Sequence, residues 1–165
     1  MGRFWYDYTK NMQHKVVITG ATGMVGKGVL LECLDSSKVA SVLAINRTSL
    51  NIKHQKLKEI LIDDIFNLNE IEEDLKGYDA CFFALGISSA GVSEDKYKKI
   101  TYELTMNFAQ VFLNNSKNSV FCYVTGAGTD TTEKGRISWA RIKGKTENDL
   151  LKLSFKAAYM FRPGY

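Results

Sequence analysis

Residues 16–26 read Val-Val-Ile-Thr-Gly-Ala-Thr-Gly-Met-Val-Gly: a β-branched run, glycines at 20, 23 and 26, and then an amphipathic stretch. That is the order of a strand, a tight turn and a helix N-terminus. Such a unit offers unpaired backbone N–H groups and the positive end of a helix dipole to a phosphate. Each glycine has a separable job. Gly20 makes the turn, Gly23 lets the backbone approach a pyrophosphate, and Gly26 lets the helix pack close to the strand. Thr22, Met24 and Val25 lie between them and are candidate cofactor-binding residues. A phosphate loop of the Gly-x-x-x-x-Gly-Lys-Ser/Thr kind fits less well. Gly26-Lys27 would supply its Gly-Lys, but Ala21 stands at its first glycine and Gly28 at its magnesium-binding hydroxyl.

Apolar strand-like runs alternate with helical patterns along the rest of the chain. Strands are expected at 15–19, 40–45, 58–62, 79–85, 119–125 and 157–161, and helices at 24–35, about 69–76, 94–115 and 138–153. Several strands are continuously apolar, as when both faces of a sheet are covered. Strands separated by helices imply right-handed crossovers and a parallel sheet. The expected fold is α/β, a doubly wound parallel sheet between two helical layers. Val25, Val29, Leu30, Cys33 and Leu34 share one helical face, as do Ile100, Leu104, Phe108, Val111 and Phe112; these stripes are core or interface. At 165 residues, one domain over 12–165 has enough chain for a sizeable core. Residues 1–11, rich in aromatics, read as an N-terminal extension of no assigned role.

Composition narrows the function classes. A net charge of +4 mildly favours anionic ligands, but acidic runs such as Glu70-Ile71-Glu72-Glu73-Asp74 interrupt the basic ones, so no nucleic-acid stripe is expected. Cys33, Cys81 and Cys122 form no close metal-ligand pair and sit among apolar residues. No metal site is expected, and such thiols fit a reducing cytoplasm. No apolar run is long enough to span a bilayer, and residues 1–11 lack the pattern of a secretory signal.

A dinucleotide fold places its ribose reader about twenty residues past the glycine turn, at the end of the second strand. Asp or Glu there would accept from a ribose 2′-hydroxyl. This chain has Asn46-Arg47-Thr48 instead. With no carboxylate to repel a 2′-phosphate and a guanidinium to pair with it, NADP(H) is favoured over NAD(H). The third strand runs into Asp63-Asp64, where Asp64 either bonds an adenine amino group or caps its own loop. Ala84-Leu85-Gly86 ends the fourth strand with small residues, suited to backbone beneath a bound cofactor. Thr125 ends the fifth, at the sheet edge where ligands of open α/β folds bind. Beyond it, Trp139 and Lys143 share a helix face through their spacing of four.

In this order the motifs are similar to those of the short-chain dehydrogenases/reductases. The resemblance is to the atypical NAD(P)H-binding branch with Tat-interacting-protein-like and epimerase-like members. It covers 14–165 and is carried by Thr19-Gly20-Ala21-Thr22-Gly23-Met24-Val25-Gly26, Asp64, Phe83-Ala84-Leu85-Gly86, Thr125 with Gly128, Trp139-x-x-x-Lys143-Gly144 and Phe161-Arg162-Pro163-Gly164. It implies a Rossmann domain whose glycines and Thr22 hold pyrophosphate, and whose Arg47 binds a 2′-phosphate. It further implies that Lys143 bonds the nicotinamide ribose, that Thr125 stands at the catalytic Ser/Thr position, and that Pro163-Gly164 makes the turn beside the carboxamide. Helices 94–115 and 138–153 are the pair that would form a homodimer.

Two departures stand out. Trp139 occupies the position of the catalytic Tyr, and an indole N–H donates a hydrogen bond but has no accessible acid–base equilibrium. Tyr97, Tyr102 and Tyr123 lack the spacing to replace that phenol. The chain also stops soon after the Arg-Pro-Gly turn, where relatives continue with segments that wall the substrate pocket, so it reads as truncated at the C-terminus. The expected function is that of an NADP(H)-dependent oxidoreductase or epimerase acting on a small carbonyl or hydroxyl substrate. The alternative is a catalytically weak NADPH-binding sensor.

Overall fold

The computed structural model describes residues 13–164; the expected extension over 1–11 lies outside the described residues. Six strands run in the order β1 (His14–Thr19), β2 (Val39–Asn46), β3 (Leu57–Leu61), β4 (Ala80–Phe83), β5 (Val120–Val124) and β6 (Ala157–Phe161). They form one sheet arranged β3-β2-β1-β4-β5-β6, parallel at every pairing. The chain therefore starts in the middle, winds outward to β3, and returns across β1 to build the other half. Between β1 and β4 the winding reverses and the crossovers leave on opposite faces, which opens a crevice at the strands' C-terminal ends.

Alternation along the strands divides the core in two. On one face Val17, Leu43, Ile45, Phe83, Phe121 and Tyr123 are buried. Against them lie α3 (Leu104–Asn115) and α4 (Ser138–Leu150), with Phe108, Phe112 and Leu150 among their contributions. On the other face Val16, Ile18, Val42 and Ala44 receive Leu30, Cys33 and Leu34 of α1 (Met24–Asp35). Phe83 meets Phe108 at 5.3 Å and Phe121 meets Phe155 at 5.1 Å between ring centroids, so aromatic contacts tie the central strands to α3 and to the loop after α4. Phe108, Phe112 and Leu150 are wholly buried in this core. The second face is more open over β5 and β6, where Tyr159 and Phe161 stay 54% and 53% exposed. There a groove of about 510 Å³ runs between Val25, Val29, Phe82, Cys122, Val124 and Phe161.

The expected strands agree with the structure to within two residues at each end, and α1 matches in full. The long helix expected over 94–115 is present as α2 (Glu94–Lys98), a π-helical segment Lys99–Glu103 and α3. Two expectations need correction. The helix expected near 69–76 is instead a pair of single 3-10 turns, Leu68–Glu70 and Glu73–Leu75. Leu68, Ile71 and Leu75 bury their side chains there, but the acidic residues between them repel one another and oppose the dipole at a helix C-terminal end. The last helix stops at Leu150 rather than 153, because a turn at Leu151–Leu153 brings Phe155 onto the aromatic cluster. Cys33, Cys81 and Cys122 are free and buried. Among the described residues no helix is long and apolar enough to cross a membrane, and no His/Cys/Asp/Glu group is placed to hold a metal ion.

Candidate cofactor-binding and active site

The glycine turn joins β1 to α1 at the switch point. Gly20 adopts φ +71°, a conformation that strains any residue with a Cβ. A Cβ there would also lie 2.7 Å from the Ala84 carbonyl carbon and oxygen, so the turn and the end of β4 are in backbone contact. A Cβ on Gly26 would overlap the Gly20 carbonyl oxygen and sit 2.7 Å from its carbonyl carbon, so the helix rests directly on the turn. Gly23 is different: its added Cβ meets only the Gly20 oxygen, at 3.4 Å, and its φ of −81° suits any residue. Gly23 starts α1 with no side-chain cap and no acidic residue in the first turn. The first amides of the helix are therefore not neutralised from within the chain, as an anion site requires.

Two adjoining cavities lie along this edge of the sheet and share Gly23, Ala84, Leu85 and Gly86. The first, about 350 Å³, extends toward the end of β2 and is also walled by Gly20, Thr22, Asn46, Arg47, Thr48 and Ile65. Asp64 is not in that wall. Its carboxylate accepts from the Phe66 amide at 3.0 Å, the loop-capping role. The second cavity, about 570 Å³, extends toward β5 and brings in Met24, Val25, Tyr97, Thr125, Trp139 and Lys143. Pro163 lines the apolar groove on the open face instead, and its carbonyl accepts from the Ala127 amide at 3.0 Å.

The end of β5 is held from three sides. The Thr125 amide donates to the Phe161 carbonyl at 2.8 Å, and Lys143 Nζ donates to the Thr125 carbonyl at 2.9 Å. Burial pushes the Lys143 ammonium below the ordinary lysine value, and the Glu147 carboxylate one turn on partly offsets this. Thr129 Oγ1 lies 2.7 Å from the Gly126 carbonyl and 2.9 Å from Thr125 Oγ1. A carbonyl only accepts, so Thr129 spends its proton on Gly126 and the Thr125 hydroxyl donates to Thr129. Thr125 thus has its donor engaged within the chain and must rotate to give it to a substrate oxygen.

Trp139 lies where Gly128 leaves space: a Cβ at Gly128, whose φ is +81°, would meet the indole at 3.3 Å. Gly144 follows Lys143 because α4 packs there against the Asp130 backbone, where any Cβ would overlap the Asp130 carbonyl. Glu147, 1% exposed, takes the Arg162 guanidinium on both carboxylate oxygens, with Nε at 3.0 Å from Oε1. That fork ties α4 to the turn after β6. Two further residues reach the site that the sequence does not assign to it, Tyr97 being set aside there for its spacing. Tyr97 comes from a distant helix to the wall that Thr125, Trp139 and Lys143 share, and burial raises its phenol above the ordinary tyrosine value. Glu59 on β3 reaches back to the end of β2, where it accepts from Asn46 Nδ2 at 3.0 Å.

An open parallel sheet with a glycine turn at its switch point and Thr125, Trp139 and Lys143 on the neighbouring edge has the architecture of a Rossmann domain. No family model matches the chain. It is 28% identical over 149 residues to the protein FMP52, mitochondrial, of Debaryomyces hansenii, covering 89% of this chain and 64% of that protein. It is 25% identical over 156 residues to HTATIP2 of Rattus norvegicus, covering 93% of this chain and 63% of that one. The chain thus spans slightly less than two thirds of the length of these relatives. They bear out the resemblance to the atypical, Tat-interacting-protein-like branch.

Solved structures bear out the fold. The Helicobacter pylori ADP-L-glycero-D-manno-heptose-6-epimerase superposes with a TM-score of 0.72 at 17% identity, over 92% of this chain and 55% of that one. A Burkholderia cenocepacia short chain dehydrogenase, solved in complex with NADP, gives 0.72 at 16% identity over 92% and 72%. Bordetella bronchiseptica WbmG, solved in complex with NAD, gives 0.69 at 12% identity over 90% and 53%. The comparisons also correct one expectation. Several curated relatives, from D. hansenii, Scheffersomyces stipitis, Aspergillus clavatus and Candida albicans, are named mitochondrial, so the cytoplasmic location inferred from buried thiols does not stand. Buried cysteines report packing as much as compartment.

Proposed function

We propose that this chain binds NADP(H) across the switch point and belongs to an oxidoreductase or epimerase acting on a small carbonyl or hydroxyl substrate. The observation that carries this reading is the pair of adjoining cavities, one walled by the glycine turn and Arg47, the other by Thr125 and Lys143. In this reading the Gly20–Gly26 turn takes the pyrophosphate, Arg47 the 2′-phosphate and Lys143 the nicotinamide ribose. When bound, the dinucleotide supplies or accepts a hydride. Thr125, once rotated away from Thr129, and Tyr97 are the hydroxyls available to donate to a substrate oxygen. Neither is a ready acid at neutral pH, and the Trp139 indole cannot titrate, so the balancing proton comes from water.

Trp139 and the engaged Thr125 hydroxyl also support a second reading, a cofactor-binding sensor with little turnover. The two readings separate in one experiment. NADPH and NADH are titrated against the protein by nicotinamide fluorescence, and turnover is then followed on a panel of carbonyl substrates. The enzyme reading expects NADPH to bind more tightly, and Thr125→Ala to abolish turnover while leaving NADPH affinity intact. Equal or tighter NADH binding refutes the Arg47 assignment. Tight NADPH binding with no turnover across the panel supports the sensor.

A further inference from the structure

The chain carries no carboxylate at the end of β2, but the fold supplies one from the next strand. Glu59, on β3, pairs in register opposite Ala44 and extends its side chain to the turn that follows β2. One of its oxygens accepts from Asn46 Nδ2 at 3.0 Å and from the Leu50 amide at 2.9 Å; the other accepts from Ser49 Oγ at 2.8 Å. The carboxylate therefore ties both ends of the segment 46–50. Between those ends, Arg47 and Thr48 are exposed and wall the 350 Å³ cavity.

The same contact decides what Asn46 presents. A carboxylate only accepts, so the Asn46 amide must turn its NH2 toward Glu59 and its carbonyl away. Asn46 is 5% exposed, walls the same cavity, and its Oδ1 has no hydrogen-bond partner among the described residues. A buried acceptor without a donor is costly, so a native one calls for a partner. A hydroxyl donor, as on a ribose, would satisfy this acceptor.

We propose that Glu59 is a positioning residue for cofactor selectivity. By its three hydrogen bonds it fixes the Asn46 carbonyl as an acceptor for an adenosine-ribose hydroxyl, and it holds the 46–50 turn so that Arg47 meets a 2′-phosphate. Glu59 acts through Asn46 and Arg47 and does not itself touch the cofactor. This rests on the reading of the cavity as a nicotinamide dinucleotide site.

The test uses the full chain, with NADPH and NADH as probes and a thermal melt to confirm folding of each variant. Glu59→Ala is expected to weaken NADPH about tenfold and NADH about threefold, because NADH loses only the Asn46 contact. Glu59→Gln keeps an acceptor for Asn46 and Leu50 and turns its amide to Ser49, so it rescues both affinities to within about twofold of the wild type. Arg47→Ala should cost much less in the Glu59→Ala background than in the wild type, since the two act as one unit.

The proposal is overturned if Glu59→Ala leaves both affinities unchanged, if Glu59→Gln falls as far as Glu59→Ala, or if the Arg47 and Glu59 effects simply add. Should Glu59→Ala fail to fold, Asn46→Ala takes its place: an equal loss for both cofactors supports the ribose-hydroxyl contact, and no loss refutes it. If the wild type binds NADH as tightly as NADPH, the NADP(H) reading falls by itself. Glu59 is then judged on NADH alone, where Glu59→Ala and Asn46→Ala must match and not add. Binding of neither cofactor removes both readings.

Discussion

The glycines at 20, 23 and 26 lend themselves to a test in which folding and binding come apart. Gly26→Ala places a methyl group on the Gly20 carbonyl, with no flexible side chain to yield; the Gly20 carbonyl carbon is 2.7 Å from that position. Overpacking of this kind costs about 1–3 kcal/mol and more when backbone must move. Gly20→Ala adds a left-handed backbone penalty of about 1–2 kcal/mol to a similar clash with Ala84. Either change therefore removes on the order of 3 kcal/mol from a domain stability of about 5–15 kcal/mol. For a chain of this length that lowers Tm by roughly 6–12 °C. Gly23→Ala meets ordinary contact only, at 3.4 Å, and costs the fold less than about 1 kcal/mol as a poorer N-cap. Its methyl group stands instead at the exposed N-terminus of α1, where a pyrophosphate would come against the backbone. Differential scanning fluorimetry with and without NADPH reads both effects. Gly26→Ala should melt early, while Gly23→Ala should melt near the wild type but gain no stabilisation from NADPH. A Gly26→Ala protein as stable as the wild type refutes the packing argument, and undiminished NADPH stabilisation of Gly23→Ala refutes the phosphate site.

Arg47→Ala should weaken NADPH by about 1–3 kcal/mol, the scale of a lost charge-assisted hydrogen bond, and barely change NADH, as measured in the same fluorescence titrations. Thr129→Ala removes the partner that engages the Thr125 hydroxyl and should raise any carbonyl turnover, whereas Tyr97→Phe should lower it; unchanged rates in both would show that neither hydroxyl reaches substrate. Arg162→Ala strands the buried Glu147 carboxylate and should cost on the order of 3 kcal/mol in urea denaturation, because one partner of a buried pair is left alone. Lys143 has a folded-state pKa below its ordinary value of 10.5, so between those two values the unfolded chain holds more protons than the native one. Stability from this group should therefore rise with pH through that window, and urea melts of Lys143→Met should lose that rise.

The half of the site that is local in sequence was legible there. A β-branched run, three spaced glycines and an uncapped helix start lie within one short segment, and steric rules for φ and close backbone approach act on neighbours in the chain. Strand and helix limits followed from periodicity for the same reason; they failed near 69–76, where an acidic run outweighed a correctly placed apolar spacing, and past Leu150, where a turn ends the last helix. What required the tertiary structure was every relation across the sheet. Glu59 is separated from Asn46 in sequence and meets it because β2 and β3 pair in parallel register. Tyr97 is distant from Trp139 along the chain, yet packing of the long helix sets it in the same wall. The proton on Thr125 is assigned only once Thr129 and the Gly126 carbonyl are seen together. Sequence patterns record what each residue does to its own backbone and face; which side chains share a proton or a charge depends on where the sheet order places them.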